Sequence, residues 1–528
     1  MKNKFYITTP AYYSSGNIHI GHVYCTIMCD IIARNKRLRG FETYFLTGAD
    51  EHGQKIKKNA KKSNLSPKKY VDKISGNFKK IWKQINISND GFIRTTDEKH
   101  IKMVQKMFSL MLKNNDIYLG NYEGWYCVEC ESFWSNSQVG EKHLCFDCGR
   151  PVNKVKEESF FFNCSKYVKK LINFYEKNTF FCYPKYKLKE IINNFIKPGL
   201  HDLSVSRISN DWGIQILENK KHTIYVWLDA LFNYISALDY CSNGKLYQKF
   251  WKDKKTEIVH VVGADISRFH CIYWPMFLMS CKLRLPNKIF VHGLIKVKGE
   301  KMSKSKKNSI SPYFLIERYG IDSVRYFFAR EIIFGCDGEF IPERFIERIN
   351  NDLSNQLGNL LNRTISMIDK YFNGRIPLFK SKITSFDEEL ENSVKKTIDD
   401  YEKKIDNLMV TEAITSVMLL VENGNKYIEL TKPWNLAKNK NIKELESVLS
   451  HLSNILYVVS ILLSPVLINK FSLILDQLGI PVKLRNYNSI KKNVIVENFL
   501  IKKKSQLFPK INMEEEINYI NKFILCDY

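Results

Sequence analysis

Three short runs of residues have the types and spacing to do chemistry. His19-Ile20-Gly21-His22 sets two imidazoles three positions apart, one helical turn, with a glycine between them. At a helix start the backbone N–H groups are unpaired and the dipole is positive, so such a pair can present donors to phosphate oxygens. Gly21 would let a flat base or a ribose come close. Two histidines at that spacing could also hold a metal, and the tetrapeptide alone decides between these poorly. Lys301-Met302-Ser303-Lys304-Ser305 lies in a lysine-rich loop running from Lys296 to Lys307. Its lysines could close over a leaving pyrophosphate and neutralise the charge that grows there, or simply coat an exposed loop.

The third run is Cys127-Val128-Glu129-Cys130 and Cys145-Phe146-Asp147-Cys148, two CxxC pairs separated by 14 residues with Gly149 behind the second. Redox pairs are the alternative, but two knuckles at this spacing favour one tetrahedral zinc site. Four thiolates leave no open coordination position, so the zinc would be structural and would add folding energy to a small domain. The other nine cysteines show no ligand spacing.

The elements that must carry these runs can be read coarsely. Phe5–Thr9 is strand-prone, residues 10–17 form a loop, and Ile20–Arg34 has helical apolar spacing. A second strand, Thr43–Leu46, opens into the polar segment Thr47–Gly53. Alternation of strand and helix implies a parallel sheet with ligands beyond the carboxyl ends of its strands. Residues 116–222 break the rhythm and read as an insert. Strands resume at Ile224–Trp227, Ile258–Val262 and Lys288–Val291, residues 310–350 look mixed, and helices follow from 351, including Asn351–Tyr371 and Glu412–Leu430.

Composition narrows the class. The 528 residues are 44% hydrophobic and 26% charged, which excludes disorder and collagen. The net charge is +26, and +23 of it falls in the first 350 residues. Such a field suits a polyanion, nucleic acid first of all, although a lysine-rich codon bias would also produce it. No signal peptide is expected after Met1, and the apolar stretch Ile455–Leu463 is too short to span a bilayer. Thirteen cysteines in such a chain fit a reducing compartment, so a cytoplasmic protein without a membrane partner is expected.

His19–His22 followed some 280 residues later by Lys301–Ser305 is far more specific than either run alone. With it stand residues 5–13 (Phe-Tyr-Ile-Thr-Thr-Pro-Ala-Tyr-Tyr), 47–53, 225–231 and 262–265, and Phe269-His270. Gly358–Arg363 and Lys432-Pro433-Trp434 complete the set. On these segments the chain resembles the class I aminoacyl-tRNA synthetases, and within them the methionyl-tRNA synthetase family.

The resemblance implies an α/β Rossmann-type parallel-sheet catalytic domain in two halves, 1–115 and 223–290. It further implies an inserted zinc-knuckle domain over 116–222, a loop and stem-contact region over 291–350, and an all-α anticodon-binding domain over 351–528. The implied activity is ATP-dependent ligation of L-methionine to tRNA(Met), initiator included, through a methionyl-adenylate, with Mg²⁺ accompanying ATP. His19, His22, Lys301 and Lys304 would be catalytic, and Gly21, Gly263, Asp265 and His292 would join them in holding ATP. Ala11, Tyr13, Asp50, Trp227, Ala230, Tyr234 and His270 would form the methionine pocket. Asp50 would take the ammonium group, while the Tyr234 hydroxyl and the Ala11 N–H would donate to sulfur. Asn359, Arg363 and Trp434 would read the anticodon.

The insert is too short for the large hydrolytic editing domain of related enzymes, and no barrel follows the helical region, so a monomer is expected. The cysteine-specific synthetases share both signature runs, but their metal lies in the catalytic core rather than in a cysteine-clustered insert. A catalytically dead tRNA-binding relative need not keep either run.

Overall fold

Apolar residues on both faces of a strand call for a sheet covered on both sides, and the strand at the chain's start has that character. In the computed structural model, which describes residues 3–134, 136–302, 310–502 and 505–525 (Ser137, Lys301 and Leu525 by backbone alone), six consecutive residues of that strand are buried. The chain forms two compact units, Met1–Ile18 with Phe41–Gly293, and His19–Gly40 with Leu294–Tyr528.

The first unit is built on six parallel strands: β1 (Lys4–Tyr13), β2 (Glu42–Asp50), β3 (Gly91–Arg94), β4 (Cys182–Tyr183), β5 (Thr256–Gly263) and β6 (Lys288–His292). Their order is β3-β2-β1-β5-β6-β4, with Tyr6 level with Tyr44 on one side and Ile258 on the other. The strand order runs outward in both directions from β1, which opens a crevice at the carboxyl ends of the strands. The pairing of β1 with β2 slips between Thr8 and Ala11. Pro10, which has no N–H to donate, sits at that irregularity. Ala11 and Tyr13 therefore occupy a re-aimed strand end facing Gly48 and Asp50.

One expected strand is a correction. Of the Ile224–Trp227 run only Ile224 lies in a strand, the two-residue Thr223–Ile224, and from Val226 to Leu231 the chain is helical. Its β-prone residues are overruled by burial of Val226, Leu228, Asp229, Ala230 and Leu231, a set that does not alternate and cannot share one face of a strand.

The insert is an antiparallel sheet of Ile117–Cys127, Ser132–Trp134, Asn153–Phe162 and Leu203–Ser204, with Trp125 opposite Trp134. Beside it Cys127, Trp134, Val139, Cys145 and Val152 form a separate small core. So few apolar side chains supply little burial, the condition under which a metal normally contributes to folding.

The second unit is helical: α1 (Ile20–Leu38), α2 (Pro312–Glu331), α3 (Asn359–Phe372), α4 (Asp387–Asp406), α5 (Val410–Thr431) and α6 (Ile442–Leu463), with shorter helices between. A buried ion pair ties α1 to α2, Asp30 to Arg325 at 2.6 Å. At the far end of α1, Arg39 reaches Asp406 and Glu402 of α4 at 2.7 and 2.8 Å. The Ile455–Leu463 stretch belongs to the 22-residue α6, long and apolar enough to cross a membrane by length and composition alone. Of its most apolar window, 89% is buried inside the fold, as in a core helix.

Candidate functional site

In the first unit the strand ends and the polar segment after β2 assemble around Asp50. This carboxyl is 7% exposed, and its Oδ1 has no hydrogen-bond partner. Burial first, and then the charge of Asp229, pushes its pKa well above the usual carboxylate range. A buried, unpartnered anionic oxygen is costly unless a cation or donor completes it. Tyr13 lies level with Asp50 across β1 and β2, and the Ser14 N–H donates to the Asp50 carbonyl at 2.8 Å.

A histidine–carboxylate network links this segment to the helix Val226–Leu231. His52 Nδ1 and His100 Nε2 each donate to one oxygen of Asp229 at 2.7 Å, and His100 Nδ1 lies 2.7 Å from the Ser236 hydroxyl. Burial pushes Asp229 up, but the two rings outweigh it and hold the carboxyl below its ordinary value. That helix presents Trp227 and Ala230. Trp227 stacks on Phe269 at 3.9 Å with 6° between the rings, and its buried Nε1 has no acceptor.

Tyr234 and His270 form the next pair. His270 Nδ1 is 3.0 Å from the Ile266 carbonyl, which can only accept, so Nδ1 carries the hydrogen. Nε2 is then the acceptor for the Tyr234 hydroxyl at 2.7 Å. Burial lowers the His270 pKa to about 4, so the ring is neutral near pH 7. In this geometry the Tyr234 proton is directed at His270. A single hydroxyl hydrogen serves one acceptor well.

Gly263, Asp265 and His292 meet at the ends of β5 and β6. Gly263 is level with His292, and a Cβ on Gly263 would lie 2.6 Å from Asp265 Oδ1. Glycine is therefore what lets that carboxylate fold back over the strand end.

The second unit carries the other two signature runs. His19 caps α1, its Nδ1 accepting from the Gly21 N–H at 3.1 Å, while His22 Nδ1 accepts from the His19 N–H at 3.2 Å. The rings are 3.9 Å apart. Because each Nδ1 accepts, each neutral ring carries its hydrogen on Nε2, the form that donates to a phosphate oxygen. The Ile20 N–H donates to the Ile310 carbonyl at 3.1 Å, and a Cβ on Gly21 would stand 3.2 Å from Met302 Cε. Both flanks of the lysine loop are thereby held against the start of α1. Lys304 and the Lys301 side chain lie outside the described residues.

The four cysteine sulfurs lie within 4.8 Å of one another, with 3.7 Å between Cys127 and Cys148 and 4.0 Å between Cys145 and Cys130. A tetrahedral ion with metal–sulfur bonds of about 2.3 Å requires sulfurs about 3.8 Å apart. The donor set fits zinc, and all four are free thiols.

On the helical surface Asn359 is exposed one turn before Arg363 on α3. The Arg363 guanidinium lies 5.7 Å from the Trp434 ring and pairs with Glu429 at 2.7 Å, and Trp434 is 40% exposed. An exposed indole under a guanidinium offers a stacking platform beside polar donors.

Sequence reasoning missed Glu131, His52, His100 and Asp229. His52 lies within the singled-out segment 47–53 and Asp229 within 225–231, the only signal that pointed to them.

Comparison with known proteins bears on both units. Residues 5–365 match a family model described as tRNA synthetases class I (M), and residues 379–525 match one described as the anticodon binding domain of methionyl tRNA ligase. A methionine–tRNA ligase of Oceanobacillus iheyensis is 48% identical over 98% of this chain and 79% of its own length. The one from Bacillus subtilis is 47% identical with the same coverage. Among solved structures, the Mycobacterium tuberculosis methionyl-tRNA synthetase in complex with methionyl-adenylate superposes with a TM-score of 0.91 at 35% identity, covering 96% of this chain and all of that one.

Proposed function

The chain belongs to the class I tRNA synthetases of the methionyl type, and from that premise we propose how its residues perform the reaction. It ligates methionine to tRNA through a methionyl-adenylate. In the first step the methionine carboxylate attacks the α-phosphorus of ATP, and the bond to the bridging oxygen breaks to release pyrophosphate. In the second, a hydroxyl of the terminal tRNA ribose attacks the adenylate carbonyl and AMP leaves. The first step needs no general base, since the attacking carboxylate is already an anion; positioning and charge relief carry it.

Asp50 receives the methionine ammonium. The observation that carries this reading is its buried, unpartnered Oδ1, a charge-assisted acceptor waiting for a cation. Trp227 stacked on Phe269 gives the side chain an apolar wall, and sulfur–aromatic contacts add roughly 0.3–1.5 kcal/mol each. The neutral His270 holds Tyr234 in place, so no full charge faces the thioether. Ala11, Tyr13 and Ala230 complete the pocket. His19 and His22 donate from Nε2 to the ATP phosphates, Gly21 gives room to the nucleotide, and Asp265 with Gly263 and His292 holds the ribose. Lys301 and Lys304 neutralise the departing pyrophosphate, and Mg²⁺ arrives with ATP. The four cysteines hold one structural zinc, which stabilises the knuckle and takes no part in a step.

Asn359, Arg363 and Trp434 read the anticodon by base-edge hydrogen bonds and stacking. Initiator and elongator tRNAs for methionine decode the same codon, so both are substrates. We place the enzyme in the cytoplasm as a monomer; the free thiols at every described cysteine support a reducing compartment.

ATP–pyrophosphate exchange without tRNA, run with methionine, leucine, isoleucine, valine and cysteine, tests the pocket. Exchange with methionine alone is expected. Preference for another amino acid would overturn the pocket assignment, and sedimentation of the pure protein would test the monomer.

A further inference from the structure

Glu131 directly follows Cys130, yet its side chain turns away from the sulfurs. It is 5% exposed and takes up three donors: the Tyr126 hydroxyl on Oε2, the Tyr13 hydroxyl on Oε1 at 3.1 Å, and the Lys55 N–H on Oε1 at 3.0 Å. Its backbone is held at φ 49, a left-handed conformation uncommon for glutamate, and the Tyr225 hydroxyl donates to its carbonyl at 2.5 Å. The loop after β2 is shaped to the same point. A Cβ on Gly53, itself at φ 119, would lie 2.7 Å from both Tyr13 Oη and Glu131 Oε1. Three segments far apart in sequence therefore converge on one carboxylate: the end of β1, the start of the helix Gln54–Lys62, and the cysteine knuckle.

We propose that Glu131 is a positioning residue of the amino-acid pocket, fixing the Tyr13 hydroxyl so that the Tyr13 ring is preset beside Asp50. Tyr126 and Lys55 hold the carboxylate, and the carboxylate holds Tyr13. The knuckle thus contributes to substrate selection through the residue next to its ligand, not through the metal. Tyr13 would otherwise keep its χ1 freedom at an irregular strand end and pay ordering entropy when methionine binds. The inference rests on the methionine-pocket reading above.

The experiment is steady-state ATP–pyrophosphate exchange by full-length protein for wild type, Glu131→Ala, Glu131→Gln, Tyr13→Phe and the Glu131→Ala/Tyr13→Phe double variant, with zinc content measured for each. Glu131→Ala and Tyr13→Phe should each raise KM for methionine about tenfold, the size expected for losing one charge-assisted hydrogen bond, with kcat and KM for ATP within about twofold. The double variant should be no worse than the more impaired single variant, because both remove the same contact. Glu131→Gln keeps an acceptor and should recover most of the loss. Multiplying losses in the double variant, or an unchanged methionine KM in Tyr13→Phe, would overturn the proposal. If Glu131→Ala loses zinc or fails to fold, Tyr13→Phe decides, since it leaves the knuckle intact. Absence of methionine-dependent exchange by the wild type would overturn the pocket reading and this inference together; normal wild-type exchange with multiplying losses overturns the role of Glu131 alone.

Discussion

The Tyr234 hydroxyl donates to His270 Nε2 across 2.7 Å, and the Ile266 carbonyl 3.0 Å from Nδ1 leaves the ring no other tautomer. Pocket and stability are joined through this pair. Burial takes the His270 pKa from 6.5 to about 4, so the unfolded chain binds that proton at a higher pH than the folded one. The stability it contributes is complete above pH 6.5 and is lost as the pH falls toward 4, about 2 kcal/mol of it by pH 5. In urea titrations at pH 7, 6 and 5, His270→Asn should therefore lose stability less steeply than wild type. His260, also lowered by burial, will keep some acid sensitivity in the variant. Equal slopes would show that His270 does not titrate as described.

Asp50 has the opposite sign. Its folded pKa is raised, so its contribution is complete below the unfolded carboxylate pKa and is lost as the pH rises through the folded value. Ionising this buried carboxyl is a cost that a methionine ammonium beside it would relieve. Asp50→Asn should raise the melting temperature while raising KM for methionine roughly ten- to a hundredfold, the range for a lost hydrogen bond to a charged group. A lower melting temperature, or an unchanged KM, would contradict the assignment.

The cysteine cluster predicts about one zinc per chain on metal analysis, from the four-thiolate geometry. Cys145→Ser should lose it and unfold at lower temperature, since the five-residue core beside the sulfurs has little else to hold it. Full metal retention in Cys145→Ser, or an unchanged melting temperature on chelation of the wild type, would count against a structural site there.

Trp434→Ala and Arg363→Ala remove opposite sides of the exposed stacking platform on the helical surface. Each should lower kcat/KM for tRNA about tenfold or more, on the scale of one stacked base, without altering exchange made in the absence of tRNA. A matching loss in the exchange reaction would place these residues outside anticodon reading.

How far the sequence could be read depended on the range of the interaction. The strands Phe5–Thr9, Ile258–Val262 and Lys288–Val291 were legible because a doubly covered parallel strand needs an unbroken apolar run. Residues 224–227 misled because Val and Trp favour strands locally, while the burial that decided for helix involves Asp229 and two distant histidines. The helix that holds Ile455–Leu463 is longer than the apolar run for the same kind of reason: Ser447, Ser450 and Ser453 ahead of it are polar, yet all are buried in α6, with hydroxyls bonded to the carboxylate or carbonyls around them.

By itself the sequence determined the parts whose chemistry is confined to one turn or one knuckle. His19 and His22 share a helix start, the four cysteines are paired at ligand spacing, and Gly263 stands beside Asp265, so residue type and spacing suffice. Only the tertiary structure decided which groups complete them. Glu131 meets Tyr13 across 118 positions, and Asp229 meets His100 and His52 across 129 and 177. A buried polar group must find a partner wherever the fold brings one within about 3 Å, and no local pattern encodes that distance.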